Sequence, residues 1–258
     1  MKGRERVAGF LVKHHARLKP VLPRGYHAYW ARGGRIYLDL RESQAMFARA
    51  LWSYEVPKSV ALAAAVKPGA VVLDIGGNKG DFSLLAAKAA GDSGRVLCFE
   101  PEPENVGWIR RSVAKNGYRS IEVVPVALAD EDGEATLHLS SFSGWHSLAA
   151  PSATASAGEL TVPTRRLDGF LGERGIGAVD VVKIDVEGAE EQVLAGAGDV
   201  FAGTNPMTMF LDLHPPLADP LKIAAQLEGW GFEIRRPAHP ELAMTVTPTT
   251  SELVAVRR

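Results

Sequence analysis

The stretch Val71-Val72-Leu73-Asp74-Ile75-Gly76-Gly77-Asn78-Lys79-Gly80-Asp81-Phe82-Ser83 decides the fold of this chain, and Val96-Leu97-Cys98-Phe99-Glu100-Pro101 follows it as a second key stretch. Each contains an apolar run that leads to an acid, and a glycine-rich turn and a helical segment lie between the two runs. This order is typical of a βαβ nucleotide-binding unit. We therefore predict a strand over 70–75, a helix over 80–90 and a second strand over 95–100.

The first turn differs from the dinucleotide-binding pattern G-x-G-x-x-G, because it reads Asp74-x-Gly76-x-x-x-Gly80. A carboxylate at the end of the first strand would repel a pyrophosphate, but it suits a ligand with a cationic amine and no phosphate. S-adenosylmethionine is such a ligand, so the turn favours a methyltransferase over a dehydrogenase. Ligands of open α/β sheets bind beyond the carboxyl ends of the strands. We expect the amino-acid half of the cofactor to be surrounded by Asp74, Gly76, Gly77, Asn78 and Gly80.

The acid after the second strand supplies the other half of the predicted cofactor site. Glu100, followed by Pro101, stands where a ribose-binding acid is found in βαβ units and can accept hydrogen bonds from both ribose hydroxyls. A third strand over 121–128 ends at the same edge of the sheet, so Ala127 and Leu128 can flank the adenine.

Strands and helices alternate along the rest of the chain, which predicts a mostly parallel sheet covered by helices on both faces. Before the central unit we predict a helix over 1–20, a hairpin that turns at Gly33-Gly34 into a strand over 35–41, and a helix over 43–65. After it we predict helices over 103–116, 188–196 and 219–229, an extra strand pair over 133–140 and 159–164, and strands over 179–185, 207–213, 232–236 and 252–257.

The composition favours one α/β domain with an appended segment. The chain has 258 residues, a formal net charge of -1 and a single cysteine, Cys98, in an apolar run that we expect to be buried. We divide it into an N-terminal helical and hairpin extension, 1–50, and a methyltransferase domain, 51–258. Neither a membrane-spanning run nor a secretory signal is evident, so a cytoplasmic protein is expected. The first thirty-five residues are rich in lysine and arginine, and this segment is either a solvated face or an anion-contacting patch.

A carboxylate cluster follows the predicted strand over 179–185. In Lys183-Ile184-Asp185-Val186-Glu187-Gly188-Ala189-Glu190 we expect Asp185 and Glu187 to project into the cleft where the methyl group would sit. Together with Glu190 they also suggest oxygen ligands for Mg²⁺ or Ca²⁺. We expect no metal to be needed, because a carboxylate beside a sulfonium already has a favourable electrostatic role. His214, at the end of the strand over 207–213, can titrate near neutrality.

The serine- and alanine-rich stretch 141–158 is long for a connection in a compact domain, and loops of this length are often lids or binding loops. We expect it to close over the substrate, with Trp145 and His146 facing the acceptor.

These motifs resemble the FkbM family of class I S-adenosylmethionine-dependent methyltransferases over roughly residues 50–215. The segment Lys183 to Glu190 is the most specific part of the resemblance. The remaining parts are Asp74 to Gly80, Phe99-Glu100-Pro101, Val126-Ala127-Leu128, Ser143 to Leu148 and Arg166-Leu167-Asp168. Two features depart from the family pattern. Gly77 replaces a common alanine, which we expect to be harmless, and Trp145-His146 replace smaller polar residues, which indicates an individual substrate pocket.

The resemblance implies a Rossmann-like seven-stranded sheet with one antiparallel strand, and methylation of a hydroxyl oxygen, often on a sugar or polyketide. An acceptor oxygen would attack the sulfonium methyl group in line and displace the sulfur, aided by a general base, for which Asp185, His146 and His214 are the candidates. Trp145, His146 and Glu187 would contact the acceptor, a small molecule or a glycan. Two alternatives stay open: an RNA methyltransferase, suggested by the basic first thirty-five residues, and a catalytically silent, cofactor-binding scaffold subunit.

Overall fold

The structure is a computed structural model that describes residues 2–140, 146–148 and 156–258. Before the main sheet begins, its N-terminal part forms four helices, a 3₁₀ turn and a hairpin. The elements are α1 (Lys2–Lys13), α2 (His15–Leu18), a 3₁₀ turn (Lys19–Val21), β1 (His27–Ala31), β2 (Gly34–Leu38), α3 (Gln44–Ala50) and α4 (Val56–Ala65).

The remaining elements alternate between strands and helices as the sequence predicts. They are β3 (Val71–Ile75), α5 (Asp81–Ala90), β4 (Arg95–Phe99), α6 (Pro103–Asn116), β5 (Ile121–Val124), β6 (Ala127–Leu128), β7 (Gly133–Ser140), β8 (Ser156–Arg165), α7 (Leu167–Glu173), β9 (Val181–Ile184), α8 (Glu190–Ala195), α9 (Gly198–Phe201), β10 (Met207–Asp212), α10 (Pro220–Gly229), β11 (Glu233–Arg236), β12 (His239–Ala243) and β13 (Glu252–Arg257).

The main sheet has the order β12-β11-β13-β10-β9-β3-β4-β5. Strands β10, β9, β3, β4 and β5 run parallel, whereas β13 is antiparallel to both β10 and β11. The carboxyl ends of the parallel strands therefore meet at one edge. Because β3 lies between β9 and β4, the residues that follow these three strands come together at that edge.

Two apolar clusters cover the two faces of the sheet, because alternate residues of each strand point to opposite sides. Leu73 and Ile75 of β3 face a cluster that includes Phe170 of α7 and Leu227 of α10. Val72 faces the other cluster, which is built from α3, α4, α5 and the β1–β2 hairpin. The N-terminal elements thus cover part of one sheet face. Cys98 is fully buried in this second cluster, as predicted.

The predicted strand pair over 133–140 and 159–164 is confirmed, and it belongs to a separate three-stranded sheet. Strand β8 pairs antiparallel with β7 and parallel with the short β6. The strand predicted over 121–128 is therefore wrong in one respect, because it ends at Val124 and resumes as β6. Pro125 lies at the break, where its missing N–H cannot continue the ladder.

Several other predictions require correction. The predicted seven-stranded sheet has eight strands, because β12 extends the edge by pairing with β11. Most residues of β12 are exposed and the strand contains Pro240, so it lacks the apolar alternation by which a strand is predicted. The single helix predicted over 43–65 is two helices, since Trp52 and Glu55 adopt left-handed backbone conformations between them.

The N-terminal predictions also change in detail. The helix predicted over 1–20 ends at Lys13 and resumes as α2 after a break at His14, and Lys19–Val21 is a 3₁₀ turn. The hairpin is confirmed, but Ala31 pairs with Gly34, so its turn is Arg32-Gly33 and not Gly33-Gly34. Within the described residues, every helix is too short or too polar to cross a bilayer.

Candidate active site

The glycine turn after β3 is fixed by close backbone packing. Gly76 has φ +80°, and a Cβ on it would lie 1.9 Å from the carbonyl oxygen of Asp185, so no other residue fits there without a shift. The N–H groups of Gly76 and Gly77 both donate to the carbonyl oxygen of Phe99, at 3.0 and 2.9 Å. Asn78 follows in a left-handed conformation at φ +50°. These contacts hold the turn against the ends of both β4 and β9.

Glu100 is held by three donors from two directions. Its Oε2 accepts a hydrogen bond from the Asn78 N–H at 2.6 Å, and its Oε1 accepts from the Glu102 N–H at 3.0 Å and from Asn105 Nδ2 at 3.4 Å. Burial raises the pKa of this carboxyl to about 7, although all three hydrogen bonds favour the ionised form. The side chain is thus fixed at the rim of the cavity described below.

Asp74 lies deeper than the sequence suggested. It is 1% exposed, and its Oδ2 accepts a hydrogen bond from Ser83 Oγ at 2.5 Å, while its Oδ1 lies 3.7 Å from Lys183 Nζ. Burial raises the pKa of Asp74 despite the neighbouring ammonium. The carboxylate is therefore positioned to support the turn from below.

A first cavity lies over the carboxyl ends of β3, β4 and β9 and holds about 610 Å³ of empty space, part of it open to solvent. Of the predicted cofactor residues, those that line it are Gly76, Asn78, Glu100, Pro101, Ala127, Leu128 and Asp185. The other three predicted residues are not among the described residues that line this cavity. Asp74 is buried below the turn, and Gly77 and Gly80 pack against Cys98 and Ile109. Apolar side chains complete the walls, namely Ile75, Phe99, Val126, Leu137, Leu148 and Val186.

A second, larger cavity opens beside the first and holds about 1670 Å³ of empty space, part of it open to solvent. Asn78, Asp185 and Glu187 line both cavities, so they form the shared wall. The opposite wall comes from the N-terminal part and α4, with Glu42, Arg49, Tyr54 and Glu55 among its residues. His214 lines this second cavity and not the first.

His214 stands at the centre of the carboxylate cluster. Its Nδ1 lies 2.8 Å from Glu190 Oε1, and its Nε2 lies 3.2 Å from Glu187 Oε2 and 3.9 Å from Asp185 Oδ1. Glu190 is fully buried and also accepts a hydrogen bond from the Gly188 N–H. Glu187 has a left-handed backbone at φ +55°, and Ser147 Oγ donates to its carbonyl oxygen.

Burial and neighbouring charges shift the pKa values of this cluster in different directions. Burial raises the pKa of Glu187 to about 8, and the neighbouring Asp185 carboxylate adds to the rise. Burial alone would lower the pKa of His214, but its carboxylate partners, Glu190 first among them, raise it to about 9. Burial would likewise raise the pKa of Asp185, yet the charges of Lys183, His214 and Lys58 hold it below the usual value. Near neutral pH, Asp185 is ionised while Glu187 and His214 retain protons.

His146 lines the first cavity, and Trp145 lies outside the described residues together with most of the predicted lid. The Ser140 N–H donates to His146 Nδ1 at 3.0 Å. Burial lowers the pKa of His146, so the ring is neutral and its proton sits on Nε2. In this tautomer neither ring nitrogen is available to take up a proton.

Ligand atoms of Asp185, Glu187 and His214 all lie within 4.8 Å of one another, a spacing that a divalent cation could bridge. Glu190, which the sequence offered as a ligand, instead lies behind His214. A metal-bound imidazole must be neutral, whereas these carboxylates favour the imidazolium. The absence of a metal requirement stays our prediction.

Sequence reasoning missed the second cavity's outer wall and the groups that support Glu100. Glu42, Glu55 and Asp212 carry no motif, and they meet only because the N-terminal part folds onto the sheet edge. Lys58, buried on α4, binds both oxygens of Asp212 at 2.5 and 2.7 Å. Asn105 had one available signal, since it is a polar residue in the first turn of the helix that follows Glu100-Pro101.

The chain is similar in sequence to known methyltransferases. The family model for the methyltransferase FkbM domain matches residues 74–234. The 2-O-methyltransferase NoeI of Sinorhizobium fredii is 31% identical over 183 residues, covering 58% of this chain and 72% of that protein. The 31-O-demethyl-FK506 methyltransferase FkbM of Streptomyces tacrolimicus is 28% identical over 212 residues, covering 70% and 79%. A crystal structure of a methyltransferase FkbM from Methylobacillus flagellatus aligns with 95% of this chain and 58% of that one, at 13% identity and a TM-score of 0.48.

Gly77 provides a test of how tightly the turn is packed. A Cβ on Gly77 would lie 2.3 Å from the buried Cys98 sulfur, so Gly77→Ala should destabilise the fold by about 1–3 kcal/mol through overpacking. In Gly77→Ala/Cys98→Ala the obstruction is gone, and urea denaturation should show a total loss smaller than the sum of the two single losses. Gly107→Ala, on the exposed side of α6 with open space around it, serves as the control. Additive losses in the double variant would contradict the packing argument.

Proposed function

The chain belongs to the FkbM family of S-adenosylmethionine-dependent methyltransferases, and from that premise we propose that it methylates a hydroxyl oxygen of a small molecule or glycan. The observation that carries this proposal is the shared wall of Asn78, Asp185 and Glu187 between the two cavities. A methyl group held at that wall from the first cavity is within reach of an acceptor in the second. The names of the relatives NoeI and FkbM support oxygen as the methylated atom.

The first cavity suits the cofactor in charge and in shape. Glu100 offers carboxylate oxygens at one end for ribose hydroxyls, and Ala127, Leu128 and Phe99 offer apolar walls for an adenine. Ionised Asp185 lines the same cavity and favours a cation, while opposing a pyrophosphate. The electrostatic argument against NAD therefore rests on this lining acid more than on the buried Asp74. When bound, S-adenosylmethionine supplies an electrophilic methyl group on a positively charged sulfur.

Among the groups at the shared wall, Glu187 fits the role of general base best. Asp185 is held ionised by Lys183 at 3.4 Å and is a weak base, and His214, with a pKa of about 9, releases its proton less readily than Glu187 does. His146 presents a proton on Nε2. Glu187, with a pKa of about 8, lies in the range that favours proton transfer near neutrality. Its carboxylate would take the acceptor's hydroxyl proton as the oxygen–carbon bond forms and the methyl–sulfur bond breaks.

In this scheme the three candidate bases of the sequence take other roles. Asp185 stabilises positive charge at the wall, and His214 orients Glu187 through its Nε2 at 3.2 Å. His146 lines the cofactor cavity. The position of Trp145 beside the acceptor stays a prediction. The N-terminal extension, 1–50, forms the outer wall of the acceptor cavity through residues such as Glu42 and Arg49.

The second cavity argues against RNA as the acceptor. Its walls carry six acids, Glu42, Glu55, Asp185, Glu187, Asp212 and Glu252. Arg49 is paired with Asp81 at 2.8 Å, so its charge is already compensated. A polyphosphate backbone would be repelled by such a surface, whereas a neutral polyhydroxyl compound finds many hydrogen-bond acceptors.

Transfer of label from methyl-labelled S-adenosylmethionine tests the function itself. We expect O-methylated products from pools of hydroxyl-bearing glycans and small molecules, and none from RNA. Transfer should persist in excess chelator, because we assign no divalent metal to the reaction. Label appearing only in RNA would contradict the acceptor class. Cofactor binding without transfer to any pool would favour the scaffold alternative, and activity restored only by Mg²⁺ or Ca²⁺ would make the metal prediction wrong.

Calorimetry tests the cofactor assignment. S-adenosylmethionine and its demethylated product should bind, and NAD should not. Glu100→Ala should weaken binding by about 1–3 kcal/mol, the range for hydrogen bonds to a charged group. Because Glu100 also accepts two backbone N–H groups, Glu100→Gln is measured beside it, with thermal unfolding of both variants as the check on folding. Unchanged binding by the folded variants would refute the ribose assignment.

The pH dependence of kcat/KM tests the base. The deprotonated form of Glu187 is the active one, so kcat/KM should rise about tenfold per pH unit below about 8 and level off above it. Glu187→Gln should lower the rate by about 10²–10⁴-fold and remove this limb. Glu228→Gln, an exposed acid on α10, is the control and should leave the profile unchanged. A limb that survives in Glu187→Gln would assign the proton transfer to another group.

A further inference from the structure

Lys79 is an unusual residue for a cofactor-binding turn, because its side chain is 1% exposed. It lies between the left-handed Asn78 and Gly80 and lines neither cavity, although Asn105, which lines the first cavity, and Glu42, which lines the second, are both close to its ammonium. A buried ammonium is costly unless its donors are satisfied. Its partners therefore indicate what the residue does.

The Lys79 ammonium donates in two directions. One hydrogen bond goes to Tyr26 Oη and the other to Asn105 Oδ1, both at 2.7 Å, and the carboxylate of Glu42 lies 3.7 Å away. Tyr26 and Glu42 belong to the N-terminal extension, whereas Asn105 belongs to α6. Lys79 thus joins the turn to two parts of the chain that are distant in sequence.

Lys79 also determines which way the Asn105 amide points. An ammonium only donates, so it selects the amide oxygen and leaves Nδ2 to donate to Glu100 Oε1 at 3.4 Å. Without the ammonium only the carboxylate of Glu100 selects between the two ends of the amide, and a rotated amide becomes accessible when that carboxyl is protonated. The orientation of Asn105, and through it one of the donors to Glu100, therefore depends on Lys79.

The N-terminal side of the connection is fixed as well. Tyr26 stacks on Trp108 of α6, with ring centroids 4.1 Å apart and planes 12° from parallel. Its hydroxyl accepts from Lys79 and donates to Glu42 Oε2 at 3.1 Å. Burial raises the pKa of Tyr26 well above its usual value, so the hydroxyl keeps its proton and the donor role. Glu42, at the end of this chain, lines the acceptor cavity.

We propose that Lys79 is a positioning residue, which holds the ribose-binding Glu100 through Asn105 and makes the N-terminal extension part of the cofactor site through Tyr26 and Glu42. This inference rests on the cofactor assignment of the proposed function. It gives the extension a role in binding the cofactor besides its role as the wall of the acceptor cavity.

The pH dependence of cofactor binding is the readout that a purely structural role would not move. Ionised Glu100 can accept from both ribose hydroxyls, so affinity should fall as the pH drops through its pKa of about 7. Loss of Lys79 removes a nearby cation and frees the amide to rotate, and both changes raise that pKa. The titratable groups that surround Glu100 are Lys79, Cys98, Glu102, Glu104, His146, Asp185 and Glu187. Because Glu187 titrates nearby at about 8, each measurement is repeated in Glu187→Gln.

The experiment measures the dissociation constant of S-adenosylhomocysteine by calorimetry between pH 6 and pH 9. Lys79→Met keeps the length of the side chain and removes the charge, and Lys115→Met, on the exposed side of α6, is the matched control. Lys79→Met should bind about tenfold more weakly at pH 7, and its loss of affinity should begin at a higher pH than in the wild type. Lys115→Met should follow the wild-type curve.

Two further variants trace the connection. Asn105→Leu should bind weakly, and Lys79→Met/Asn105→Leu should bind only slightly more weakly, because Lys79 acts mainly through Asn105. Tyr26→Phe keeps the ring on Trp108 and removes the hydroxyl, and it should shift the pH curve in the same direction by a smaller amount. It also provides the test if Lys79→Met does not fold.

The outcomes separate this inference from the function on which it rests. If Glu100→Gln binds S-adenosylhomocysteine like the wild type, the ribose-binding role of Glu100 in the proposed function fails. If Glu100→Gln is weak but Lys79→Met and Tyr26→Phe keep the wild-type pH curve, the positioning role is wrong while the cofactor assignment stands. A uniform loss of affinity at every pH in Lys79→Met, or additive losses in Lys79→Met/Asn105→Leu, would also overturn the inference.

Discussion

The buried ammonium of Lys183 is the interaction on which the active-site edge depends. It donates to the carbonyl oxygen of Gly76 at 2.8 Å and lies 3.7 Å from Asp74 and 3.4 Å from Asp185. The register of β3 and β9 sets Lys183 directly opposite Asp74, so the sheet itself determines this contact. Removing one partner of a buried ion pair costs about 3–5 kcal/mol, because the remaining charge stays uncompensated. The glycine turn and the acid after β9 are thus held by one cation.

Lys183 also influences which of the acids are ionised. By holding Asp185 ionised, it keeps a negative charge beside Glu187, and that charge together with burial moves the Glu187 pKa to about 8. Adjacent carboxyl groups thereby acquire different protonation states, which is how one site can contain both a charge-stabilising group and a proton acceptor. His214 stays protonated between Glu187 and Glu190 and prevents the acids from repelling one another.

Local patterns were sufficient to predict the parts of the molecule in which neighbours along the chain are also neighbours in space. Apolar runs and glycines predict the succession of strands and helices along the chain and the turn after β3. They also predict that Glu100 and Asp185 stand at the ends of strands. The break between α3 and α4 was not predicted, although Pro57 in the first turn of α4 is a signal for a helix start. The left-handed Trp52 and Glu55 before it carry no glycine signal. The wall formed by Glu42 was also out of reach, since it arises from packing between distant segments.

Buried lysines recur wherever distant segments meet at this edge. Lys58 of α4 donates to Asp212 at the end of β10, and Lys79 of the glycine turn donates to Tyr26. Lys183 of β9 donates to the carbonyl oxygen of Gly76, directly after β3. Each ammonium faces more than one acceptor, and Lys58 alone lies within 3.5 Å of carboxylate oxygens of Asp212, Glu55 and Glu252. The charges of this edge are therefore set by contacts between distant elements. Asp185, which Lys183 holds below its usual pKa, remains a negative charge in the wall of both cavities, and such a charge favours a cationic group beside it.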